Sequence, residues 1–237
     1  MRINNFYGAG FPYRDSQKLP GKLIVVEGTD GVGRSTQIKH LRRWLEDEGY
    51  AVSDTGLTRS ALTSLGLEEA KRGHTLGPLT MSLFYAADFA DRLENQIIPA
   101  LSAGFIVLSD RYFYSVIARN AMRGLDKNWT RELYGMALRP DLILYLKADI
   151  STLVSRLVHG RGLNYWESGM DLHLADNMYD SFVQYQNLVM KEFDDLALEY
   201  NFVTINAEQK TEKITDDLKV PITHLLHNRL PREMKPN

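Results

Sequence analysis

The feature that most constrains the fold is a glycine-rich turn between a short apolar run and an amphipathic segment. The apolar run is Lys22-Leu-Ile-Val-Val-Glu27, and the turn is Gly28-Thr29-Asp30-Gly31-Val32-Gly33-Arg34-Ser35. A β-branched run of this kind is typical of a buried parallel strand. After the turn, Ile38, Leu41 and Leu45 recur at helical spacing. The sequence therefore predicts a strand, a phosphate-binding loop and a helix, in that order.

In such a loop the glycines let successive backbone N–H groups point inward, and the positive end of the helix faces the same anion. The Ser35 hydroxyl can hold a magnesium ion that is shared with the phosphates. The motif G-x-x-x-x-G-K-[ST] requires lysine where this chain has Arg34. Arginine keeps the positive charge but replaces a compact ammonium with a wide planar fork. We therefore expect a phosphate site in which Arg34 is a ligand.

An acid lies at the end of another buried run, Phe105-Ile-Val-Leu-Ser-Asp110. In open α/β sheets, ligands gather at the carboxyl ends of the strands. Asp110 is therefore expected to reach a magnesium ion near Ser35. The alternative is that Asp110 only caps the turn that follows it.

The remaining apolar runs alternate with helical patterns along the chain. Strands are predicted at residues 22–27, from 50 to about 58–60, and at 105–110, 141–146 and 202–205. Helices are predicted after the glycine-rich turn, at 79–101, 115–123, 129–138, 150–158 and 177–200, and from 211 to a kink or end at Pro221. In helix 79–101, the expected core stripe is Leu83, Ala86, Ala87, Ala90, Leu93, Ile97 and Leu101. This alternation predicts an α/β fold of three layers, with a five-stranded parallel sheet flanked by helices.

Two segments of the chain are not expected to form regular elements. Residues 1–20 are rich in Asn, Gly and Pro and are expected to form an N-terminal arm before the domain at 21–237. The aromatic residues of this arm either dock on the domain or belong to a disordered leader. Residues 159–175 are polar and broken by glycine between two predicted helices, so we expect a mobile lid there.

Composition excludes several classes of protein. The 237 residues carry a net charge of −2, so no basic surface field favours a nucleic-acid partner. No apolar run is long enough to span a bilayer, and no secretory signal is evident at the N-terminus. The absence of cysteine excludes disulfides and thiolate metal sites, and agrees with a cytoplasmic location. The six histidines lack the spacing of zinc ligands.

Four stretches occur in an order and at spacings that are hard to obtain by chance. They are residues 27–37 (EGTDGVGRSTQ), Thr58-Arg59, Asp110-Arg111-Tyr112 with Ser115 and Ala118, and Arg139-Pro140-Asp141-Leu142. They resemble the motifs E-G-x-D-G-x-G-K-[ST]-T-Q, T-R-E-P, D-R-Y-x-x-S-x-x-A and P-D-L. These motifs are those of the thymidylate kinase family of P-loop nucleoside monophosphate kinases. The resemblance extends from about Gly21 to Leu226.

The resemblance implies transfer of the γ-phosphoryl group of ATP, with Mg²⁺, to a nucleoside 5′-monophosphate. The residues that it implies for ATP binding are continuous along the loop: Gly28, Thr29, Asp30, Gly31, Val32, Gly33, Arg34, Ser35 and Thr36. It also implies that Ser35 and Asp110 hold the metal and that Arg34 and Asp110 take part in catalysis. Phosphoryl transfer depends on positioning and on neutralising charge, which agrees with such a set. The family further implies a homodimer that pairs through helices flanking the sheet.

The acceptor site is implied by the same resemblance. Arg59 and Arg111 are expected to clamp the acceptor phosphate, a bidentate task that suits guanidinium groups. Asp30 is expected to meet the 3′-hydroxyl of the acceptor sugar, and Ser115 belongs to the same motif. Arg119 is expected to face the acceptor as well, although the family usually has an aromatic residue and glutamine where this chain has Arg119 and Asn120.

The family branch with glycine after the loop aspartate, as Gly31 is here, takes a catalytic arginine from the lid. Residues 159–175 offer Arg161 for this role. Arg156, on the preceding helix, is the alternative. It is otherwise expected to bond the sheet or the donor nucleotide.

Base recognition is where the chain departs most from the family. The family helix carries the motif F-x-x-x-R. Its aromatic residue stacks on thymine, and its arginine contacts the carbonyl edge of the base. This chain has Tyr85 at the aromatic position and Phe89 at the arginine position. Arg92 shares their face of the helix. We therefore expect Tyr85 and Phe89 to contact the base and Arg92 to read its edge. The alternative is that Arg92 pairs with Asp88 and that Phe89 is simply buried.

Two other functions fit parts of this pattern. A nucleotide-binding regulator or pseudokinase would explain Arg34, because such a protein binds ATP without turning it over. A deoxynucleoside kinase shares the loop and sheet but accepts an uncharged nucleoside. A requirement for the acceptor 5′-phosphate, through Arg59 and Arg111, would distinguish a monophosphate kinase from it.

Overall fold

Five parallel strands form the sheet, in a computed structural model that describes residues 5–11, 19–73 and 76–227. The strands are β1 (Lys22–Gly28), β2 (Val52–Gly56), β3 (Ile106–Asp110), β4 (Leu142–Lys147) and β5 (Val203–Asn206). Their order across the sheet is β2-β3-β1-β4-β5. The expected fold class and the five strands are therefore confirmed.

Helices cover both faces of this sheet. They are α1 (Arg34–Asp47), α2 (Ser64–Gly73), α3 (Pro78–Arg92), α4 (Ile98–Ser102), α5 (Phe113–Met122), α6 (Lys127–Leu133), α7 (Ile150–Val158), α8 (Met178–Glu199) and α9 (Thr211–His227). A π-helical turn at Leu93–Ile97 joins α3 to α4, so the two helices form one continuous helical segment. Of the helices in the described part of the chain, none is long and apolar enough to cross a membrane.

The central strand β1 contributes to a core on each face because successive side chains point to opposite sides of a strand. Leu23 and Val25 pack with residues of α3, α5 and α8, whereas Ile24 and Val26 pack with residues of α1, α7 and α9. All seven residues of β1 are buried. In register, Val26 lies opposite Asp110 of β3. The phosphate-binding loop and Asp110 therefore emerge at the same edge of the sheet.

The core face of α3 agrees with the predicted one only in part: Ala86 and, just after the helix, Leu93 are buried as expected. Leu83 and Ala87 were expected to face the core, but both are exposed, and Leu83 retains 46% of its accessible surface. The helix buries the face of Tyr85 and Phe89 instead. Apolar residues occur around most of this helix, so spacing alone could not choose between two faces. The larger aromatic surfaces decide the orientation because they gain more from burial.

Pro221 was expected to end or kink the last helix. It does not end the helix, because α9 continues to His227. Proline lacks the N–H group for one helical hydrogen bond and crowds the preceding turn. Leu218 and Ile222, on either side of it, are fully buried against the sheet. Their burial outweighs the local cost of the proline, since helices in proteins are stabilised mainly by packing.

The described part of the N-terminal arm docks on the domain. Phe6 and Phe11 are buried, and Phe6 forms an isolated bridge with Leu138. The Tyr7 hydroxyl lies 2.6 Å from that of Tyr114. Another aromatic residue of the arm, Tyr13, lies outside the described residues. Helix α6 ends at residue 133 rather than 138 because the chain after it pairs with this arm.

Candidate active site

The glycine-rich loop has the geometry of an anion site. Gly28, Gly31 and Gly33 have φ angles of 149°, 83° and 101°, which favour glycine. A Cβ atom at Gly28 would lie 2.7 Å from the Leu146 carbonyl oxygen. Gly33 precedes α1, and neither a side-chain cap nor an acidic residue occupies the first turn of that helix. Its first backbone N–H groups are therefore available to an anion at the positive helix end.

Arg34 lies across the loop from which it emerges. Its Nη1 donates to the carbonyl oxygen of Gly28 at 2.6 Å and to that of Thr29, and its Nε donates to Asp110 Oδ1 at 2.9 Å. Ser35 Oγ donates to the other carboxylate oxygen of Asp110 at 2.8 Å. The structure thus brings together the three residues that the sequence connected only by motif. Asp110 binds side chains of α1 rather than capping its own turn.

The donor set at Asp110 suits magnesium. Burial by itself raises the pKa of Asp110, but the charges of Arg34 and Arg111 and the Ser35 hydrogen bond outweigh it and hold the pKa below its usual value. An ionised carboxylate beside a hydroxyl provides the hard oxygen ligands that Mg²⁺ prefers. Within the described residues, no group of three or more acids and histidines could form a metal cage.

Asp30 is the centre of a buried cluster of charges. It accepts hydrogen bonds from Arg111 Nη2 and, at 2.9 Å, from Arg119 Nη2. Burial by itself raises the pKa of Asp30, yet the positive charges of Arg111 and Arg119 lower it below its ordinary value. For Arg111, burial and the neighbouring Arg34 lower the pKa to about 10. Both arginines remain charged at neutral pH, so the cluster carries a net positive charge toward an acceptor.

Buried hydrogen bonds fix the position of the Arg111 side chain. Ser115 Oγ accepts from Arg111 Nη1 at 3.0 Å and donates to Glu27 Oε2 at 2.6 Å. Glu27 is fully buried and also accepts from the Tyr112 N–H at 2.8 Å. Burial raises the pKa of Glu27 above its usual value. Ser115, expected to face the acceptor, is itself fully buried and reaches the site only through Arg111.

Arg59 lies at the rim of the same edge. It is 42% exposed, donates to Asp54 Oδ2 at 3.1 Å and has its Nη2 3.9 Å from Asp110 Oδ2. A side chain this exposed can turn toward an anion beside Asp110 without crossing the core. Its contact with the acceptor phosphate remains a prediction.

A cavity of about 490 Å³ opens beside this cluster. It is rich in aromatic and basic side chains, which are Lys71, Arg72, Tyr85, Arg119, Arg123, Tyr165, Trp166 and Tyr185. Leu57, Met81, Val116, Asn120, Asn164 and Glu167 complete the lining. The size and mixed lining suit an aromatic, anionic small molecule. Tyr85 and Arg119 are the expected acceptor residues that this cavity includes.

Phe89 and Arg92 do not face this cavity, which corrects the expectation for base recognition. Both are fully buried. Phe89 packs edge-on against Tyr112 and Tyr134, with ring centroids 4.9 and 5.2 Å apart. Arg92 Nε donates to Asp88 Oδ2 at 2.8 Å. The alternative interpretation, an Arg92–Asp88 pair beside a buried Phe89, is what the structure shows, because this helix face packs on the core.

The hydrogen bonds that Asp88 accepts from the backbone explain why the Arg92–Asp88 pair is buried in the protein. The Asp88 carboxylate accepts from the backbone N–H groups of Thr58 at 3.0 Å and Ser60 at 2.9 Å. Arg92 balances the charge of Asp88, and Asp88 fixes the loop that carries Arg59. Arg92 therefore acts on the site only at a distance, through this loop.

The lid segment contributes aromatic residues rather than its expected arginine. Arg161 is 55% exposed and pairs with Glu167, with 2.5 Å between Nη2 and Oε2. Arg156 instead donates to the carbonyl oxygens of Val32 at 2.9 Å and Ala207 at 2.7 Å, so it braces the phosphate-binding loop. Trp166 Nε1 donates to the Lys71 carbonyl oxygen at 3.0 Å. The mobility of the lid and the choice of its catalytic arginine remain predictions.

Several cavity residues were not anticipated from the sequence. Lys71 and Arg72 end a short helix without a motif, and Arg123 follows a helix whose other residues are mostly buried. Tyr185 has the spacing of a core residue on α8 and is buried, with its ring beside Arg123. One signal was present: Tyr165 and Trp166 are adjacent large aromatic residues within an otherwise polar segment.

Comparison with known proteins gives a consistent result. The family model described as thymidylate kinase matches residues 26–218. A probable thymidylate kinase 2 of Saccharolobus solfataricus is 32% identical over 214 residues, which are 90% of this chain and 100% of the relative. A probable thymidylate kinase of Thermococcus gammatolerans is 34% identical, covering 84% and 94%. A thymidylate kinase of Clavibacter michiganensis is 40% identical over a shorter stretch, covering 59% and 69%.

The buried Arg92–Asp88 pair predicts a large effect on stability. Arg92→Ala should lower the free energy of unfolding by about 3 to 5 kcal/mol, because it leaves Asp88 as a buried charge without its cation. Arg131→Ala, which breaks a more exposed pair with Glu199, should cost at most about 1 kcal/mol. Urea unfolding followed by circular dichroism measures both. Equal losses in the two variants would contradict a special role for the buried pair.

The charge cluster at Asp30 predicts a pH dependence. Because the folded-state pKa of Asp30 is lowered, its contribution to stability is present above the unfolded-state pKa of about 4 and is lost as the pH falls. The difference in unfolding free energy between wild type and Asp30→Asn should therefore be largest near neutral pH and shrink below about pH 4. The exposed Asp216→Asn serves as control and should stay within about 0.5 kcal/mol of wild type at neutral pH. A constant difference for Asp30→Asn across this range would contradict the assignment.

Proposed function

Because the chain belongs to the thymidylate kinase family, we propose that it transfers the γ-phosphoryl group of ATP to the 5′-phosphate of thymidylate. The chain is a nucleoside monophosphate kinase, and ATP is the phosphoryl donor of its family. One observation supports the specific acceptor site most. The phosphate-binding loop and the cavity lined by aromatic and basic side chains meet at the Asp30 cluster.

On the donor side, the backbone N–H groups of the loop and the first turn of α1 would bind the ATP phosphates. Ser35 and Asp110 would hold Mg²⁺, which supplies charge neutralisation between the phosphates when bound. Arg34 already donates to Asp110 and to two loop carbonyl oxygens. When ATP binds, the guanidinium group of Arg34 would donate to phosphate oxygens in place of the carbonyl oxygens, because phosphate oxygens form stronger charge-assisted hydrogen bonds.

On the acceptor side, Arg111 and Arg59 would hold the monophosphate in line with the donor. Arg111 is suited to this because its position is fixed by Ser115 and Asp30. Asp30 would orient the acceptor sugar through its 3′-hydroxyl, and Tyr85 would contact the base. Such positioning accounts for most of the catalysis that phosphoryl transfer needs.

The lid would exclude water and supply positive charge in the transition state. Arg161 is the candidate for this charge, and it would have to leave Glu167 to reach the phosphates. Arg156 is less suited because both ends of its fork are occupied by backbone oxygens. The competing functions of pseudokinase and deoxynucleoside kinase are not favoured, since the matched relatives are named thymidylate kinases. A cytoplasmic location is part of the same proposal, because ATP and nucleoside monophosphates are cytoplasmic metabolites.

A homodimer is also part of this proposal. The outer face of α3 exposes Leu79 and Leu83, which keep 53% and 46% of their accessible surfaces. The neighbouring α2 exposes Leu65 to 72%. Adjacent exposed leucines on two helices are unfavourable in water and are typical of a surface that a partner covers. A second copy of the chain fits because the family that it resembles pairs through helices beside the sheet.

The activity is tested by offering a panel of nucleoside monophosphates with ATP and Mg²⁺ and detecting the diphosphate by phosphorus NMR. We expect thymidylate to be converted. Arg34→Ala should lower kcat by about a hundredfold or more, because a positive group at the transferred phosphate is lost. Arg34→Lys should retain or raise activity, since lysine restores a compact charge.

Arg43→Ala, an exposed change on the same helix, is the matched control and should behave as wild type. If no monophosphate in the panel were converted, the proposed activity would be wrong. If Arg34→Ala matched the control, the loop would not hold the donor in the way described.

The homodimer is tested by light scattering at micromolar protein. We expect twice the mass of one chain, and Leu83→Glu should reduce it to one because a buried unpaired charge opposes association. Leu198→Glu changes an equally apolar but more exposed residue on α8 and should leave the dimer intact. A monomer mass for the wild-type chain would contradict the proposal.

A further inference from the structure

The cavity contains a positively charged side chain where the base of the acceptor nucleotide would bind. This side chain comes from a different helix than the arginine that contacts the base in the family. The position that carries the reading arginine in the family is Phe89 here, and it is buried. Lys71, in the last turn of α2, lines the cavity instead. Its Nζ lies 5.0 Å from the centre of the Tyr85 ring. A base that contacts Tyr85 therefore meets the ammonium of Lys71.

Among the described residues, no carboxylate balances the charge of Lys71. Arg119 pairs with Asp30 and Arg123 pairs with Asp171, whereas no ion pair involves Lys71 among the residues that the structure describes. The pKa of the Tyr85 phenol reflects the positive charge of Lys71. Burial by itself raises the pKa of this phenol, yet Lys71 and Arg119 outweigh burial and lower the pKa below its usual value. The cavity beside Tyr85 is thus electropositive and favours a hydrogen-bond acceptor.

Asn120 provides the complementary group. Its Nδ2 donates to Ser82 Oγ at 2.7 Å and to Thr130 Oγ1 at 3.2 Å. The Thr130 hydroxyl already donates its only proton to the Asp126 carbonyl oxygen, so it must accept from Asn120. This fixes the orientation of the amide. Within the part of the chain that the structure describes, no group donates to the Oδ1 atom of Asn120, which is an acceptor on a residue that lines the cavity.

We propose that Lys71 is a specificity-determining residue that donates to O4 of a thymine or uracil base, while Asn120 Oδ1 accepts from N3–H. These pyrimidines present an acceptor at O4 beside a donor at N3. Cytosine presents the reverse, with an N4 amino group and an unprotonated N3, so the ammonium would face a donor and the carbonyl an acceptor. The inference rests on the proposed function, because it assumes that the cavity holds the acceptor nucleotide.

The lid determines where Lys71 lies. Trp166 Nε1 donates to the main-chain carbonyl oxygen of Lys71 at 3.0 Å. This bond occupies a carbonyl at the C-terminal end of α2, where helices leave such groups without internal partners. The position of the reading side chain is therefore set by an aromatic residue of the lid and not by α2 alone.

The test is a cycle of enzyme and nucleotide changes. Wild type, Lys71→Met and Lys71→Arg are compared for kcat/KM with thymidylate and deoxycytidylate, and for binding of both nucleotides by calorimetry. Lys71→Met should lower kcat/KM and affinity for thymidylate by about ten- to a hundredfold, the effect of losing one charged hydrogen bond. It should leave the values for deoxycytidylate nearly unchanged. Lys71→Arg should retain most of the preference, and Lys39→Met, an exposed change on α1, should retain all of it.

A uniform loss for both nucleotides, or no loss for either, would overturn the role of Lys71. A wild-type preference for deoxycytidylate would overturn it as well. If Lys71→Met does not fold, 4-thiothymidylate replaces the variant, since sulfur at position 4 is a weaker acceptor. Wild type should then bind it about tenfold less tightly than thymidylate, and equal binding would overturn the role. A wild-type enzyme that converts no monophosphate would instead refute the proposed function, so the two failures are distinguishable.

Discussion

The buried carboxylate of Glu27 is the contact on which the active edge of the sheet depends. Glu27 lies near the carboxyl end of β1 and accepts hydrogen bonds from the start of α5, at the Tyr112 N–H and the Ser115 hydroxyl. Ser115 in turn accepts from Arg111. Arg111 has a φ of 72°, a conformation that costs a residue with a side chain about 1 to 3 kcal/mol. The hydrogen bonds to Glu27 stabilise this strained turn and direct the guanidinium toward Asp30.

The elements with one clear hydrophobic face were predictable from the sequence, and so was the strand, glycine-rich loop and helix arrangement that brings Arg34 to Asp110. Strand β1, Arg34 and Asp110 belong to contiguous motifs whose geometry follows from local backbone rules and from parallel strand register. Spacing correctly predicted the burial of Ala86 in α3, but it did not choose between Leu83 and Phe89, which both offer apolar surface. Only the sheet residues on which the helix packs decide between them. Spacing that placed Phe89 and Arg92 together was correct, but it could not say which way that face pointed.

The remaining errors share a physical cause, which is contact between residues distant in sequence. Trp166 and Lys71 are 95 positions apart and meet only because the lid folds over the end of α2. No periodicity records such a contact. Pro221 is a similar case, since its local preference to end a helix is outweighed by burial of Leu218 and Ile222 against residues far along the chain.

The separation of the cavity lining from the strand ends has an evolutionary consequence. Asp30, Asp110 and Arg111 are fixed by the sheet and its first turns, whereas Lys71, Tyr165 and Trp166 come from a short helix and a connecting segment. Substitutions in the second group leave the β1–β3 pairing and its buried Glu27 untouched. A duplicated gene could therefore begin to drift toward a new nucleobase through peripheral changes, without disturbing the strand ends that carry Asp30, Asp110 and Arg111.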